Sequence, residues 1–167
     1  MGGGLNEARP VYEQLWREAM PAFEQNRFDL DPQLPDKSRD RRRGVTLVFR
    51  PSRNLLDSLR PFLHELAAAA PAQYCYGPAD LHVTVLSLIP GSEFWREQLP
   101  HLAAYKSILR DVLSRHRKFT VSFQGVTASP GAMMIQGFPG DATLRAIRNE
   151  LRARLGQTPW GVGLDVR

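Results

Sequence analysis

Sulfur is scarce in this chain. A single cysteine, Cys75, excludes an internal disulfide and any multi-cysteine zinc site. Set between two tyrosines in QYCYG, with no base visibly paired to it, it reads as a small packed residue rather than a nucleophile. Long apolar runs are missing as well, since nothing approaches the ~18 consecutive residues of a membrane span. The N-terminal MGGGLNEARP has neither the basic start nor the apolar core of a secretory signal, so the expected location is the cytoplasm and no membrane partner is expected. There is no fixed-period repeat and no low-complexity tract. Lysine is rare: the basic residues are overwhelmingly arginine, which grips phosphate through a planar fork. The formal net charge of +5 therefore leans toward an anionic partner, although it also suits a protein that merely stays soluble.

What is present fits one globular domain of 167 residues with 43% hydrophobic and 23% charged residues. EARPVYEQLWREAMPAFEQ carries Val11, Leu15 and Phe23 at helical spacing, with Pro10 and Pro21 expected to limit the helix at its ends. The proline- and charge-rich stretch that follows, ending in RDRRR, reads as a surface loop. In GVTLVFRP, Val45, Leu47 and Phe49 alternate with Thr46, Val48 and Arg50, the period of a strand that stops at Pro51. SRNLLDSLRPFLHELAAAA puts Leu55, Leu59, Phe62, Leu63 and Leu66 on one helical stripe, with Ser52 or Asn54 to cap it. A second strand is expected from about Leu81 to Ile89, then a loop through PGSEFWREQLP and a helix with Leu102, Tyr105, Val112 and Leu113 on one side. KFTVSFQGV reads as a half-buried strand, and SPGAMMIQGFP as a turn and its hairpin partner. Asp141 is expected to cap a last helix whose Leu144, Ile147, Leu151 and Leu155 share a face. QTPWGVGLDVR then reads as the start of another extended segment. The expected class is α+β with mixed or antiparallel sheets and flanking helices.

The stretch DLHVTVLSLIP holds a histidine and a threonine two apart on an otherwise apolar strand. Alternation puts His82, Thr84, Leu86 and Leu88 on one face, so an imidazole and a hydroxyl about 7 Å apart at their α-carbons can converge on one small group such as phosphate. Imidazole exchanges protons near neutral pH, and a hydroxyl can donate to a non-bridging phosphate oxygen. From chemistry alone, a core or rim histidine with a hydrogen-bonding neighbour fits the same pattern. His64, His101 and His116 read respectively as a solvated helix residue, a helix-opening residue without a visible partner, and a group near a helix C-terminus that suits the dipole.

LHVTVL, a histidine-x-threonine motif reached after a strand and a helix, resembles the first signature of the two-histidine (2H) phosphoesterase superfamily, which includes the 2′-5′ RNA ligase-like proteins. FTVSFQGVTASPGAMMIQGFPGDATLRAIRNELRARL is similar to that family's strand, hairpin and helix between signatures. The resemblance implies a bilobal fold in which two such motifs face each other across a cleft, one histidine as base and the other as acid, without a metal or other cofactor. On that basis His82 and Thr84 match the first motif, residues 44–167 form the phosphoesterase-like domain, and residues 1–43 are an extension. The expected activity is that of an RNA 2′,3′-cyclic phosphodiesterase acting on a phosphorylated small molecule or an RNA end; the rivals are a binding module of the same fold and an ordinary α+β domain.

This sequence departs from the pattern at one point. His64, His101 and His116 are not followed two residues later by threonine or serine, so a second motif is absent from the 167 residues. By family order it belongs on the next strand after GVGLDV, and the chain is expected to be the front part of such an enzyme, weak or inactive by itself. In-line displacement at phosphorus needs a group on each side, which one histidine cannot supply at once. Arg41, Arg42 and Arg43 either steer an RNA or nucleotide phosphate or form a solvated loop. Tyr74, Tyr76, Phe94 and Trp95 either stack on a base or pack in the core, the latter being the simpler expectation.

Overall fold

A computed structural model describes residues 3–34, 36 and 38–159. The extended segment expected after Pro159 lies outside the described residues. The chain is α+β: α1 (Gly3–Glu24), β1 (Arg43–Phe49), α2 (Arg53–Ala69), β2 (Val83–Ser92), a 3₁₀ segment (Trp95–His101), α3 (Leu102–Arg115), β3 (Val121–Ser129), β4 (Ala132–Pro139) and α4 (Thr143–Gly156). Among the described residues the strands form two small antiparallel sheets, β1–β2 and β3–β4. The contacts divide the chain into two compact units, one built from the chain up to Asp40 with Leu102–Thr158, the other from Arg41–His101.

In the first unit, β3 and β4 form the expected hairpin, with Ser129 opposite Ala132 across the Pro130-Gly131 turn. Their register slips between Phe123 and Val126, where Gly125 adopts a φ of +78°. This bulge breaks the alternation. Phe119, Val121 and Phe123 are half-buried before it, whereas Val126 is exposed and Thr127 and Ala128 are buried after it. Leu144, Ile147, Leu151 and Leu155 of α4 are all buried, with Tyr105 and Val112 of α3. Leu113, expected in the same stripe, is instead exposed.

Helix α1 runs through both Pro10 and Pro21 instead of being bounded by them. Each proline removes one helical N–H bond, and packing against the hairpin offsets the loss. The Tyr12 hydroxyl donates to the Gly137 carbonyl (2.9 Å) and accepts from the Gly137 N–H (3.0 Å). Thr127 Oγ1 donates to the Tyr12 carbonyl at 2.9 Å, and the Tyr12 ring meets Phe138 edge-on at 5.5 Å. What ends α1 is Asn26 in the left-handed region (φ 53°). The Arg27 N–H bonds the Ala22 carbonyl and the Asn26 N–H the Phe23 carbonyl, the paired bonds of a Schellman cap.

Charged side chains tie α3 to α4. Asp111 Oδ2 accepts from Arg115 (3.0 Å) and from Arg154 (2.9 Å), while Glu150 accepts from Arg115 (2.6 Å) and His116 (2.8 Å). Glu150 and Arg154 thus each reach across to the neighbouring helix, although their spacing of four would also suit a pair along α4. His116 lies just past α3 and is held by a carboxylate rather than by the helix dipole. On the same helix Arg148 is half-buried, and burial followed by the neighbouring Arg152 charge lowers its pKa.

Asp141 stands one residue before the N-cap position, Ala142, and accepts from the Thr143 N–H at 2.8 Å. Arg117 donates to its other oxygen at 3.0 Å. Hydrogen bonding from Thr143, followed by the Arg117 charge, holds the Asp141 carboxyl below its ordinary value.

This unit yields three predictions. A carboxyl whose pKa is lower in the folded than in the unfolded state stabilises the fold above its unfolded value and loses that contribution as pH falls through the folded one. Asp141→Asn is therefore expected to flatten the acid limb of a stability–pH profile, measured by denaturant melts, while leaving its neutral shape intact. Gly125→Ala must place a side chain at positive φ and is expected to cost about 1–2 kcal/mol. Gly156→Ala, at the open end of α4 with nothing within 4 Å of the added carbon, is expected to gain about 0.5–1 kcal/mol.

Candidate active site

The second unit carries the histidine-x-threonine pair. β1 and β2 run antiparallel, with Phe49 opposite Val83, Val48 opposite Thr84, Leu47 opposite Leu86, Thr46 opposite Ser87, Val45 opposite Ile89 and Arg43 opposite Ser92. The register slips three times, and each slip leaves an extra residue in the longer β2. Gly44 sits against the last of them; a β-carbon there would come within 2.5 Å of the Ile89 carbonyl oxygen.

The first slip shapes the site. Val85 is an extra residue between the Val48–Thr84 and Leu47–Leu86 pairs, so the face that carries Thr84 does not continue through Leu86 as strict alternation requires. Both Val85 and Leu86 are buried, as are Leu88 and Ile89, whereas His82 and Thr84 are exposed. The bulge thus separates a buried stretch of β2 from an exposed end, a use of bulges common beside functional sites. β2 proper begins at Val83, and His82 lies one residue ahead of it.

A turn holds that residue. Gly77-Pro78-Ala79-Asp80 closes with the Asp80 N–H on the Gly77 carbonyl at 2.9 Å, Pro78 pre-setting the second position. The Asp80 carbonyl then lies 2.6 Å from His82 Nδ1. A carbonyl oxygen can only accept, so Nδ1 carries the proton. The other ring nitrogen, Nε2, has no partner among the described residues and keeps its lone pair. Fixing the imidazole in this way presents Nε2 to exchange a proton with a ligand.

Arg50, the residue after β1, closes the arrangement from the neighbouring strand by donating from Nη1 to the Ala79 carbonyl. The strand pattern contained this arginine at its polar positions, but nothing local showed what it would meet. Ser52 then caps α2, its Oγ accepting from the Leu55 N–H at 3.4 Å, and Leu55, Leu59, Phe62, Leu63 and Leu66 are half-buried together while His64 is exposed.

Arg43, by contrast, opposes Ser92 at the far end of the ladder. Five strand steps of ~3.3 Å separate it from Val48, the partner of Thr84, or about 17 Å. Arg41 and Arg42 precede it, so the structure does not bring these three arginines to His82. Arg43 Nη1 donates to the Arg42 carbonyl at 2.7 Å, and Arg39 pairs with Asp36 at 2.9 Å.

Several aromatic and sulfur expectations change as well. Tyr74, Tyr76 and Phe94 are exposed rather than packed, and the two tyrosines meet edge-on at 5.0 Å. Cys75 between them is also exposed, because the stretch that carries it is surface loop. The loop expected after β2 is partly strand, through Ser92, and partly the 3₁₀ segment. His101 ends that segment, half-buried. A cavity of about 550 Å³ in the first unit, lined by residues including Tyr12, Trp16, Arg17 and Gln136, holds no histidine. Among the described residues no three His, Cys, Asp or Glu side chains are grouped to hold a metal ion, and no helix is long and apolar enough to cross a membrane.

The clamped ring has a direct spectroscopic consequence. In a long-range ¹H–¹⁵N spectrum above the histidine's titration, His82 is expected in the Nδ1–H form with an unprotonated Nε2. The Nε2–H form would contradict the hydrogen bond to Asp80.

No curated protein and no solved structure matches the chain. The model of the 2′-5′ RNA ligase superfamily matches residues 50–163, more than half of the chain, spanning Arg50, the His82 turn, Thr84, the β3–β4 hairpin and α4. With the α+β elements in that order and the histidine-x-threonine pair at an exposed strand end, the chain belongs to the 2′-5′ RNA ligase superfamily, the 2H phosphoesterases.

Proposed function

We propose that this chain handles the phosphate of an RNA end or of a phosphorylated small molecule, with the chemistry of a metal-independent 2′,3′-cyclic phosphodiesterase and His82 as a proton-transfer group. The observation that supports this most is the tethering of the imidazole: Nδ1 is held by the Asp80 carbonyl at 2.6 Å, which leaves Nε2 to exchange protons on an exposed residue two before Thr84. Arg41, Arg42 and Arg43, at the opposite end of the ladder, would meet the phosphates of a longer RNA rather than the reacting one.

In hydrolysis of a cyclic phosphodiester, water oxygen bonds to phosphorus while the bond to one ribose oxygen breaks. The attacking water loses a proton and the departing oxygen gains one. Neutral His82 takes the first proton at Nε2, or imidazolium His82 gives the second. Thr84 donates to a non-bridging oxygen, where charge builds in the transition state. Each such contribution has a typical scale: about 10²- to 10⁴-fold for a positioned acid or base and about 10²- to 10³-fold for an oxyanion donor. His82→Ala is accordingly expected to lower turnover of a 2′,3′-cyclic nucleotide by about 10²- to 10⁴-fold with little change in binding, and Thr84→Val by about 10²-fold. Unchanged turnover in His82→Ala would overturn the assignment.

A second reading is favoured by one specific observation. His64, His101 and His116 lack the threonine or serine two residues on, so these 167 residues offer one histidine-x-threonine for two proton transfers. On this reading the chain holds the phosphorylated end without cleaving it. Incubating the chain with a cyclic-phosphate RNA separates the two: bound and intact ligand supports holding, and conversion to the ring-opened phosphate supports hydrolysis.

A further inference from the structure

We infer that Arg50 is the anion-recognition residue of this site, its guanidinium receiving the non-bridging oxygens of the same phosphate that His82 addresses. This inference rests on the reading of His82 and Thr84 given above. Three observations carry it.

The first is register. The last paired residues at this end are Phe49 with Val83, preceded by Val48 with Thr84. One further step of the ladder sets Arg50 opposite His82. Directly opposed residues of an antiparallel pair share a face, with β-carbons about 5 Å apart. Arg50 and Val48 therefore share the face of His82 and Thr84, whereas Phe49 and Val83 belong to the other.

The second is what the guanidinium leaves unused. Nη1 is bound to the Ala79 carbonyl, which anchors the group beside the turn that carries His82. An arginine has five N–H donors in a rigid plane. The remaining four have no partner among the described residues, and Arg50 is exposed. An anchored guanidinium loses less freedom when it grips a ligand than a free one does, and its fork matches two phosphate oxygens at once.

The third is that, among the described residues, no carboxylate forms an ion pair with Arg50, although Asp80 lies in the adjoining turn. Within this unit Asp57 is taken by Arg60 on α2. Asp80 contributes its backbone carbonyl to His82. A positive group beside a hydroxyl and an imidazole, without a paired carboxylate, selects a ligand that brings its own negative charge.

The test compares two short single-stranded RNAs of one sequence, one ending in a 2′,3′-cyclic phosphate and the other in free hydroxyls. Binding is measured to the full chain and to its Arg50→Gln, Arg50→Lys and His82→Ala variants, with circular dichroism as the check on folding. The wild type is expected to prefer the phosphate end by at least tenfold. Arg50→Gln should erase that preference while binding the hydroxyl-ended RNA normally, and Arg50→Lys should keep part of it, because the charge remains and the fork is lost. His82→Ala should keep the preference and lose turnover. If Arg50→Gln keeps the preference, or weakens both RNAs alike, Arg50 is only a tie to the turn and the inference falls, while a turnover defect in His82→Ala leaves the wider reading standing. If the wild type shows no preference and His82→Ala changes neither binding nor turnover, that wider reading falls too. Should Arg50→Gln fail to fold, the Lys variant decides the matter: a preference equal to wild type overturns the inference, and a reduced one supports it.

Discussion

The β1–β2 ladder, with its extra residue at Val85, is the constraint on which the site depends. An antiparallel pair in perfect register would carry one face unbroken from His82 through Leu88. The slip between the Val48–Thr84 and Leu47–Leu86 pairs ends that face after Thr84, so β2 can be buried from Val85 to Ile89 without taking the polar pair with it. The exposed polar pair stands at one end of the strand, and the apolar residues that need a core occupy its middle. The bulge also fixes which residues of β1 meet them, with Val48 beside Thr84 and Arg50 one step on.

The turn that precedes β2 then converts an exposed histidine into an oriented one. An imidazole on an open strand end is free to rotate and to carry its proton on either nitrogen. Here the Asp80 carbonyl takes Nδ1 at 2.6 Å, and the turn supplying that carbonyl is itself closed by the Asp80–Gly77 bond and tied to the end of β1 through Arg50. These three bonds give the ring one tautomer and tether it to the turn. The arrangement is cheap in core area, which suits a small unit in which α2 has no fully buried residue.

Much of this was legible in the amino-acid sequence where the signal is local. The α4 stripe, the Ser52 cap, the hairpin turn at Pro130-Gly131 and the histidine-x-threonine pair each lie within a few consecutive residues. What escaped reading depends on partners distant in the chain. The prolines of α1 are tolerated because Tyr12 and Thr127 bind across more than a hundred residues. Glu150 finds Arg115 and His116 rather than a neighbour on its own helix. The bulges at Val85 and Gly125 break the alternation on which such readings rest, and only the cross-strand register reveals them. Arg50 belongs to the same class: as the residue between β1 and a proline it looks like punctuation, and only its bond to the Ala79 carbonyl, far along the chain, ties it to the turn before His82.

The groups proposed to handle phosphate stand at the Phe49–Val83 end of the ladder, whereas Arg41, Arg42 and Arg43 stand at the other, about 17 Å away. Those arginines differ chemically from the site: they can attract a polyanion, but they stand beside no oriented acid–base group. The most direct measurement is a ¹H–¹⁵N map of the labelled chain titrated with a ribonucleoside 2′,3′-cyclic monophosphate, too small to reach both ends at once. The account predicts shifts at Arg50 and Ala79 through Thr84, with Arg43 and Ser92 unmoved. Shifts centred on Arg41 through Arg43 and Ser92, with His82 unaffected, would contradict it.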